Sequence, residues 1–364
     1  MKPDITDLAD LLGRAVPLLD VRAPVEFRAG AIPGAVNLPL MDDEERRRVG
    51  LCYKQHGPQA ALALGHRLVS GALREARLAA WVGFVRAHPD AVVMCFRGGQ
   101  RSGIARQWLA EAGYSIPRVA GGYKALRSFL LDTHERVAAQ CDFTVLGGLT
   151  GTGKTELLAE VVQAIDLEAH AAHRGSSFGR RLCGQPGQVD FENALAADFL
   201  RRRVQGLNHF VVEDESRFIG QRNLPRALHL RMQSAPLVWL EASFEERIAR
   251  IRKDYVLDTL AELLDTHDAA MAWAQLSEML GSSLARIARR LGGARHAQAA
   301  RLMTHALEQH RDQGDTQAHD AWITLLLKHY YDPMYASQRE ARDSRVVFRG
   351  PRAAVLAWLR AQML

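Results

Sequence analysis

Short apolar runs of strand length recur along the chain, and several of them are followed by a glycine-rich or polar turn and then a helical pattern. The runs occupy residues 18–21, 91–94, 143–146, 209–212, 237–240 and 345–348. Because alternating strands and helices are typical of sheets covered by helices, the pattern predicts an α/β protein.

The length of the chain indicates more than one domain. At 364 residues and 48% hydrophobic composition, it can bury more than one core. We predict a first domain over 1–131 and a second over 143–364. The junction at 132–142 is not rich in glycine or serine, so a helix is as compatible with it as a loose tether. Residues 244–335 lie between two predicted strands as a helical insertion.

Composition and charge limit the class of protein. The first residues lack the basic start and apolar run of a signal peptide, and no stretch approaches the roughly 20 apolar residues of a membrane span. We therefore expect a soluble, cytoplasmic protein without membrane association. The net charge of +6 favours a polyanionic partner such as RNA. The cysteines are too scattered for a disulfide framework or a CxxC metal site: Cys52, Cys95, Cys141 and Cys183.

One cysteine has an environment suited to chemistry. It directly follows the apolar run at 91–94 and begins the segment Cys95-Phe96-Arg97-Gly98-Gly99-Gln100-Arg101-Ser102. The following helix would bring its positive dipole end and the glycine amides to the sulfur, which favours the nucleophilic thiolate. Arg97 and Arg101 can donate charge-assisted hydrogen bonds to an oxyanion. We predict Cys95, Arg97 and Arg101 as catalytic residues, with a buried, inert cysteine as the alternative.

A second loop follows the run at 143–146 and reads Gly148-Leu149-Thr150-Gly151-Thr152-Gly153-Lys154-Thr155. Its spacing, between a strand and a helix predicted to run through about 164, is that of a phosphate-binding P-loop. Loop amides and the lysine would hold two phosphates, while the threonine hydroxyl could ligate Mg²⁺ together with Asp214 or Glu213 after the next strand. The predicted diphosphate-binding residues are Gly148, Gly151, Gly153, Lys154, Thr155 and Asp214, with Thr155 and Asp214 as the Mg²⁺ ligands.

Residues 281–306 contain arginines but no carboxylate. On a helix, Leu284, Ile287 and Leu291 would share one face. The opposite face would carry Arg286, Arg289 and Arg290. One-sided charge of this kind suits binding to a phosphate backbone. A basic face that contacts only solvent is an equally good interpretation.

The first third of the chain resembles a rhodanese domain. The resemblance rests on the cysteine loop and on the segments Leu19-Asp20-Val21-Arg22, Glu26-Phe27 and Gly30-Ala31-Ile32-Pro33-Gly34-Ala35. Common sulfurtransferases have four residues between the cysteine and the arginine, whereas five separate Cys95 from Arg101. The longer loop is similar to that of rhodanese-related phosphatases and should admit a bulkier anion. Met94 stands where cysteine phosphatases usually have histidine.

Nearly the whole chain resembles the tRNA 2-selenouridine synthase family. The segments that carry the resemblance are the two loops, Asp166-Leu167-Glu168, His173-Arg174-Gly175-Ser176-Ser177-Phe178-Gly179, Glu213-Asp214-Glu215-Ser216-Arg217, Ile219-Gly220 and Tyr330-Tyr331-Asp332-Pro333-Met334-Tyr335. The resemblance implies an N-terminal rhodanese-like domain followed by a P-loop NTPase-like domain with a helical insertion.

The resemblance also implies a two-step modification of a wobble uridine. Geranyl diphosphate would S-geranylate 2-thiouridine in tRNA, and selenium from selenophosphate would then replace the geranylthio group. Cys95 would carry selenium as a perselenide or orient selenophosphate. No cofactor would be tightly bound, Mg²⁺ could assist at the diphosphate, and an enzyme that supplies selenophosphate is a candidate partner. His173, Arg174 and Ser176 would contact diphosphate or tRNA, and Arg286, Arg289 and Arg290 would contact tRNA.

Two other functions remain open at this point. One is a phosphatase or sulfurtransferase fused to an ATP-dependent kinase. It would hydrolyse a phosphomonoester or transfer sulfur at Cys95 and turn over ATP at Lys154. A regulator that binds RNA and only senses chalcogen would need neither reaction, although the cysteine beside two arginines argues against an inert domain.

Overall fold

The computed structural model describes residues 2–336 and 343–362, which divide into two compact units. The first unit comprises Met1–Val137 and Gly187–Leu207. The second comprises Ala138–Pro186 and Asn208–Leu364. Each unit is therefore built from two stretches of the chain.

The elements follow one another across both units. The first stretch contains α1 (Leu8–Gly13), β1 (Leu18–Asp20), α2 (Pro24–Arg28), β2 (Ala35–Asn37), α3 (Asp43–Leu68), α4 (Gly71–Ala87), β3 (Val92–Met94), α5 (Gln100–Glu111) and α6 (Gly122–Gln140). The second unit then begins with β4 (Asp142–Gly148), α7 (Lys154–Leu158), β5 (Ala164–Ile165) and α8 (Leu167–His170). The chain returns to the first unit for α9 (Gln188–Val204).

The rest of the second unit follows α9. It contains β6 (His209–Glu213), β7 (Phe218–Ile219), β8 (Arg222–Asn223), α10 (Arg226–Ser234), β9 (Leu237–Glu241), α11 (Phe244–Arg252), α12 (Asp258–Leu264), α13 (Ala269–Leu291), α14 (Gly293–Gln313), α15 (Asp320–Leu326), α16 (Asp332–Ala336), β10 (Val346–Pro351) and α17 (Arg352–Gln362). Short π-helical turns, Lys253–Leu257 and Leu327–Tyr331, connect α11 to α12 and α15 to α16.

The sheet of the first unit is parallel, with strand order β2-β1-β3. Side chains alternate between its faces, so Leu18 and Met94 pack with α6 and α9, while Leu19 and Cys95 pack with Trp81 on the other side. The continuous apolar runs found in the sequence are explained by this burial on both faces. Cys95 leaves the sheet at its carboxyl edge, directly after β3.

Helix α9 packs on α1 and α6 through apolar residues such as Ala197 and Leu200. Polar contacts fix its position, because Asp190 accepts a 2.7 Å hydrogen bond from the Ala31 amide. Arg127 donates a 2.8 Å hydrogen bond to Asn193. Sequence order alone could not assign this helix to the first unit, since it follows elements of the second.

His134 on α6 provides a test of this packing. Its Nε2 lies 3.0 Å from the Glu192 carbonyl oxygen and therefore carries the proton, while its buried Nδ1 has no partner in the described part of the chain. Burial lowers the pKa of His134 to about 4 from the ordinary 6.5. The native state thus holds this imidazole neutral, and the unfolded chain binds a proton first on acidification. The contribution of His134 to the free energy of unfolding is complete above pH 6.5 and is lost as the pH falls toward about 4.

We expect acidification across that window to lower the free energy of unfolding by about 3 kcal/mol through His134. His134→Gln keeps a donor for the Glu192 carbonyl and should remove most of this dependence. Chemical unfolding of both proteins along a pH series measures the difference. The same acid sensitivity in both proteins would show that His134 is not the titrating group.

The sheet of the second unit is also parallel, with strand order β10-β9-β4-β6-β5. Central β4 pairs with β6 and β9, so the P-loop after β4 and the acidic residues after β6 emerge at the same edge. The predicted helix after the P-loop is shorter than expected. It ends at Leu158, and buried Ala164 and Ile165 form an edge strand instead, because burial against β6 outweighs local helix propensity.

The predicted helical insertion is present as α11–α16, around its own apolar core. The basic segment is two helices rather than one, since Gly292 takes a positive φ between α13 and α14. On α13, Leu284, Ile287 and Leu291 are buried, as the pattern predicted. In the part of the chain that the structure describes, no helix is long and apolar enough to cross a membrane.

Candidate functional site

Cys95 is held between a strand and a tight turn. Its backbone carbonyl accepts a 2.8 Å hydrogen bond from the Tyr123 amide, and the Phe96 carbonyl accepts one from Lys124. A side chain at Gly122 would collide with the Cys95 carbonyl, so this close approach requires glycine. The turn before α6 therefore fixes where the sulfur lies.

The Cys95 sulfur is buried and lies 3.2 Å from the Ser102 hydroxyl oxygen. Ser102 also donates to the Gly99 carbonyl at 3.2 Å. Because a hydroxyl has one proton to donate, Ser102 accepts a hydrogen bond from the Cys95 thiol while it donates to Gly99, and it can donate to the sulfur if it turns away from that carbonyl. Ser102 is part of the sequence motif, but its contact with the sulfur is visible only in the structure.

The two predicted arginines have different surroundings. Arg101 makes a two-pronged ion pair with Glu26, at 2.5 and 3.1 Å, and lies half-buried beside the loop. Arg97 is exposed and forms no ion pair with any carboxylate in residues 2–336 or 343–362. Both line a cavity of about 780 Å³ that Cys95 also lines. Of the two arginines, Arg97 is therefore available to bind an anion, whereas Arg101 is oriented by Glu26.

The P-loop has the strand–turn–helix conformation expected from its sequence. Gly151 and Gly153 adopt positive φ angles of 83° and 86°, which side-chain-bearing residues rarely tolerate. Lys154 starts α7 and turns back over the loop, where its Nζ donates to the Gly148 carbonyl at 3.0 Å. The Lys154 ammonium is thus kept above the loop that would cradle phosphate.

Two arginines of α11 hold the P-loop from the insertion side. Arg247, which is buried, donates to the Thr150 carbonyl at 2.9 Å and forms an ion pair with Asp332. Arg250 donates to the Gly151 carbonyl at 2.7 Å. Sequence reasoning missed both, because on α11 they are simply polar positions of an amphipathic helix. Because Arg247 is paired with Asp332 and Arg250 with Glu156, their role is to hold the loop carbonyls in place beside the predicted diphosphate site.

A pair of carboxyl groups, buried Glu168 and half-buried Glu215, lies near Lys154. Both carboxyl groups lie against Gly175, and burial first, then the neighbouring charge of Glu168, raises the pKa of Glu215 well above its usual range. Burial likewise raises the pKa of Glu168. The Thr155 hydroxyl approaches Glu168 at 3.5 Å. Two neighbouring carboxyl groups repel each other when both are ionised, and a bound cation would offset that repulsion.

The predicted Mg²⁺ ligands, Thr155 and Asp214, follow the neighbouring strands β4 and β6. Thr155 faces Glu168, while the Asp214 amide continues the sheet by donating to Leu146. Glu213 is fully buried and accepts from the Leu167 amide, and burial raises its pKa well above the usual range. Among the described residues, no three His, Cys, Asp or Glu side chains converge as a metal-binding group. Mg²⁺ needs fewer protein ligands when water and phosphate complete its shell.

A second cavity, of about 640 Å³, lies in the second unit and is strongly basic. His173, Ser176 and Arg286 line it together, although they are far apart in sequence. Arg180 and Arg181 complete its basic lining. Burial, and then the charges of Arg180 and Arg286, lower the pKa of His173. No carboxylate is among the described lining residues, so the cavity suits an anion.

The remaining predicted contacts are more dispersed. Arg174 lies over the Tyr255 ring at 5.5 Å, and the Ser176 hydroxyl is 2.9 Å from the Tyr255 oxygen. Arg286 reaches the Ser177 carbonyl at 2.6 Å, which explains its place in the basic cavity. Arg289 and Arg290 are exposed on α13 and do not line that cavity.

Comparison with known proteins adds to this geometry. The family model described as "tRNA 2-selenouridine synthase AAA domain" matches residues 141–364, and the rhodanese-like domain model matches residues 4–128. A tRNA 2-selenouridine synthase of Cupriavidus necator is 55% identical over 99% of this chain and 98% of its own length. This chain belongs to the tRNA 2-selenouridine synthase family. Relatives of the same name from Pseudomonas fluorescens and Azotobacter vinelandii are each 54% identical over 99% of this chain, covering 99% and 98% of their own lengths.

As a member of the tRNA 2-selenouridine synthase family, the chain has the predicted combination of a rhodanese-like domain and a P-loop domain. The structure gives physical roles to three of the motifs that suggested the family. Asp332 orients the P-loop arginine Arg247, Glu168 meets Thr155, and Glu215 pairs with Glu168. The conspicuous acids of these motifs thus converge on the P-loop.

Proposed function

We propose that this chain is a tRNA-modifying transferase that converts a wobble 2-thiouridine to 2-selenouridine in two steps. The proposal rests on full-length similarity to proteins named tRNA 2-selenouridine synthase, combined with an intact Cys95 loop and an intact P-loop. The substrate is tRNA carrying 2-thiouridine, and the co-substrates are geranyl diphosphate and selenophosphate. An enzyme that makes selenophosphate would supply the second of these.

The first step uses the P-loop. The thiocarbonyl sulfur attacks C1 of geranyl diphosphate, the C1–O bond breaks, and its electron pair leaves with diphosphate while uracil N3 loses its proton. Loop amides and Lys154 stabilise the charge that develops on the leaving group, while Arg247 and Arg250 hold the loop carbonyls in place. Thr155 and the Glu168–Glu215 pair are suited to hold Mg²⁺, which would neutralise further charge.

The second step uses the Cys95 loop. Selenium of selenophosphate attacks C2, the C2–S bond breaks, and geranylthiolate leaves and takes up a proton. Water then attacks phosphorus and releases phosphate, which leaves 2-selenouridine. This route needs no oxidant. A perselenide formed on Cys95 from selenophosphate would instead expel phosphorus with the bonding pair as phosphorus(III), so electron balance favours orientation of selenophosphate by Cys95 and Arg97.

We assign the basic cavity to the tRNA backbone. Its arginines face no carboxylate among the described lining residues, and phosphate contacts dominate nucleic-acid affinity. Arg180→Gln and Arg286→Gln should each weaken tRNA binding several-fold and lower the slope of log affinity against log salt by about 1. Binding titrations at several salt concentrations measure both quantities.

Arg289→Gln is the matched control for these variants, because Arg289 lies on the same helix as Arg286 but outside the cavity. It should have the smaller effect. An equal loss for all three arginines would extend the tRNA contact over the exposed face of α13 and contradict a site confined to the cavity. Unchanged tRNA affinity in all three variants would show that neither the basic cavity nor the exposed face of α13 binds tRNA.

The complete function is tested by mass spectrometry of nucleosides from 2-thiouridine tRNA incubated with the protein, geranyl diphosphate and Mg²⁺. We expect a geranylated nucleoside that disappears when selenophosphate is added, as 2-selenouridine forms. An unmodified nucleoside, together with ATP turnover in the absence of tRNA, would contradict the proposal and favour a kinase or phosphatase.

A further inference from the structure

The cavity above Cys95 is larger than a selenophosphate anion requires. Its volume of about 780 Å³ lies within the roughly 300–1,000 Å³ range of small-molecule sites. The Cys95 loop forms only one side, and α3 supplies much of the remaining wall. A tetrahedral anion such as selenophosphate would fill a small part of this space.

Helix α3 is bent to make that wall. Gly57 has φ 81° and ψ −179°, and Pro58 follows it, so the helix breaks into limbs over 43–56 and 58–68. The limbs approach each other, because a Cβ on Gly65 would lie 3.9 Å from Val49. Small and apolar residues of both limbs line the cavity: Val49, Gly50, Leu51, Tyr53, Ala61, Leu62 and Gly65.

Several of these side chains are unusually exposed for their type. Leu51 is 47% exposed, Tyr53 58% and Leu62 38%. On the loop side, Phe96, Ile104 and Trp108 line the same space. Grouping exposed apolar side chains around one cavity is unfavourable in water, and an apolar ligand would remove that surface from solvent.

The cavity is also basic. No carboxylate is among its described lining residues. Arg46 and Arg101 are paired with Glu26, but Lys54 and Arg97 make no ion pair within the described residues. An apolar wall beside free cations suits a ligand with a hydrocarbon chain attached to an anionic group.

We infer that this cavity holds the geranyl chain of the S-geranylated uridine during the second step. The inference rests on the proposed function. Selenophosphate bound at the Cys95 loop must reach C2, and the geranylthio sulfur is bonded to that same carbon. The geranyl chain must therefore extend from beside Cys95, where α3 provides the apolar surface. Lys54 and Arg97 face the flanking RNA phosphates, and geranylthiol departs through the opening.

The test compares two RNAs whose wobble 2-thiouridine carries either an S-geranyl or an S-methyl group. Geranylthiolate and methylthiolate are similar leaving groups, so a difference in reactivity measures how the protein binds the geranyl chain. With the full-length protein and selenophosphate, formation of 2-selenouridine should be at least about 100-fold more efficient for the S-geranyl RNA, measured as kcat/KM.

Two variants of the α3 limbs should reduce that preference. Gly50→Leu fills the cavity, since a Cβ there meets no atom within 4 Å, and Leu62→Gln makes its wall polar. Each should lower the ratio of geranyl to methyl efficiency about tenfold, with little change for the S-methyl RNA. The matched controls are on α4: Gly83→Leu, also with open space at its Cβ, and Leu73→Gln, where the leucine is 40% exposed. Neither residue lines the cavity.

The outcomes separate the inference from the proposed function. A wild-type protein that treats both RNAs alike, or variants that retain the full preference, would overturn the geranyl site while the two-step function stands. A wild-type protein that converts neither RNA would refute the proposed second step, and the geranyl site with it.

Discussion

Replacing Cys95 with alanine should lower the rate of 2-selenouridine formation about 10³-fold while geranyl transfer continues at close to the wild-type rate. The physical reason is that Cys95 lies in the rhodanese-like unit, where its sulfur contacts Ser102 beside the free cation Arg97, whereas we propose that geranyl transfer takes place at the P-loop. Mass spectrometry of nucleosides measures both products in one reaction. Starting the second step from geranylated RNA separates the two rates.

Cys95→Ser distinguishes the two roles of the sulfur. A serine hydroxyl can still donate a hydrogen bond to selenophosphate, so an orienting role predicts partial activity, above that of Cys95→Ala. A perselenide carrier predicts no activity with serine. Cys141→Ala is the control for burial, because Cys141 is 2% exposed and Cys95 3%. Equal loss of geranylation and selenation in Cys95→Ala would contradict the assignment of the two steps to separate sites.

Replacing Lys154 with alanine should reduce geranyl transfer about 10²- to 10³-fold, because the ammonium above the P-loop would no longer stabilise the departing diphosphate. Conversion of RNA that is already geranylated should be nearly unaffected. Initial rates at saturating and limiting geranyl diphosphate show whether binding, turnover or both are lost.

Lys253→Ala is a suitable control for the charge change. That lysine is 60% exposed and is paired with Asp258. It should leave geranyl transfer unchanged. If Lys154→Ala also transferred geranyl at the normal rate, the P-loop would not be the diphosphate site.

Much of the candidate site could be predicted from sequence because its signals are local. Glycines at 151 and 153 are needed for positive φ angles within a few residues of Lys154, and the apolar run before them identifies β4. The Cys95 loop is defined in the same way by its strand and glycines. The helical face of α13 also followed from residue spacing, since Leu284 and Ile287 are buried.

Other parts of the site depend on contacts between distant residues. Arg247 reaches Thr150 and is held by Asp332, and Glu168 meets Glu215, although none of these pairs is close in sequence. A charged residue on an amphipathic helix looks the same in sequence whether it faces water or a loop in another part of the fold. The side chains that complete the P-loop site therefore could not be selected from spacing.

The sequence by itself determined the two glycine-rich loops, most of the strands of the two sheets and the family, because backbone conformation at glycines and short apolar runs are set by near neighbours. Only the tertiary structure decided that α9 packs with the first unit, that Arg286 joins His173 in one basic cavity, and that the limbs of α3 enclose an apolar cavity above Cys95. Those arrangements follow from how buried faces pack together, and packing depends on the whole chain.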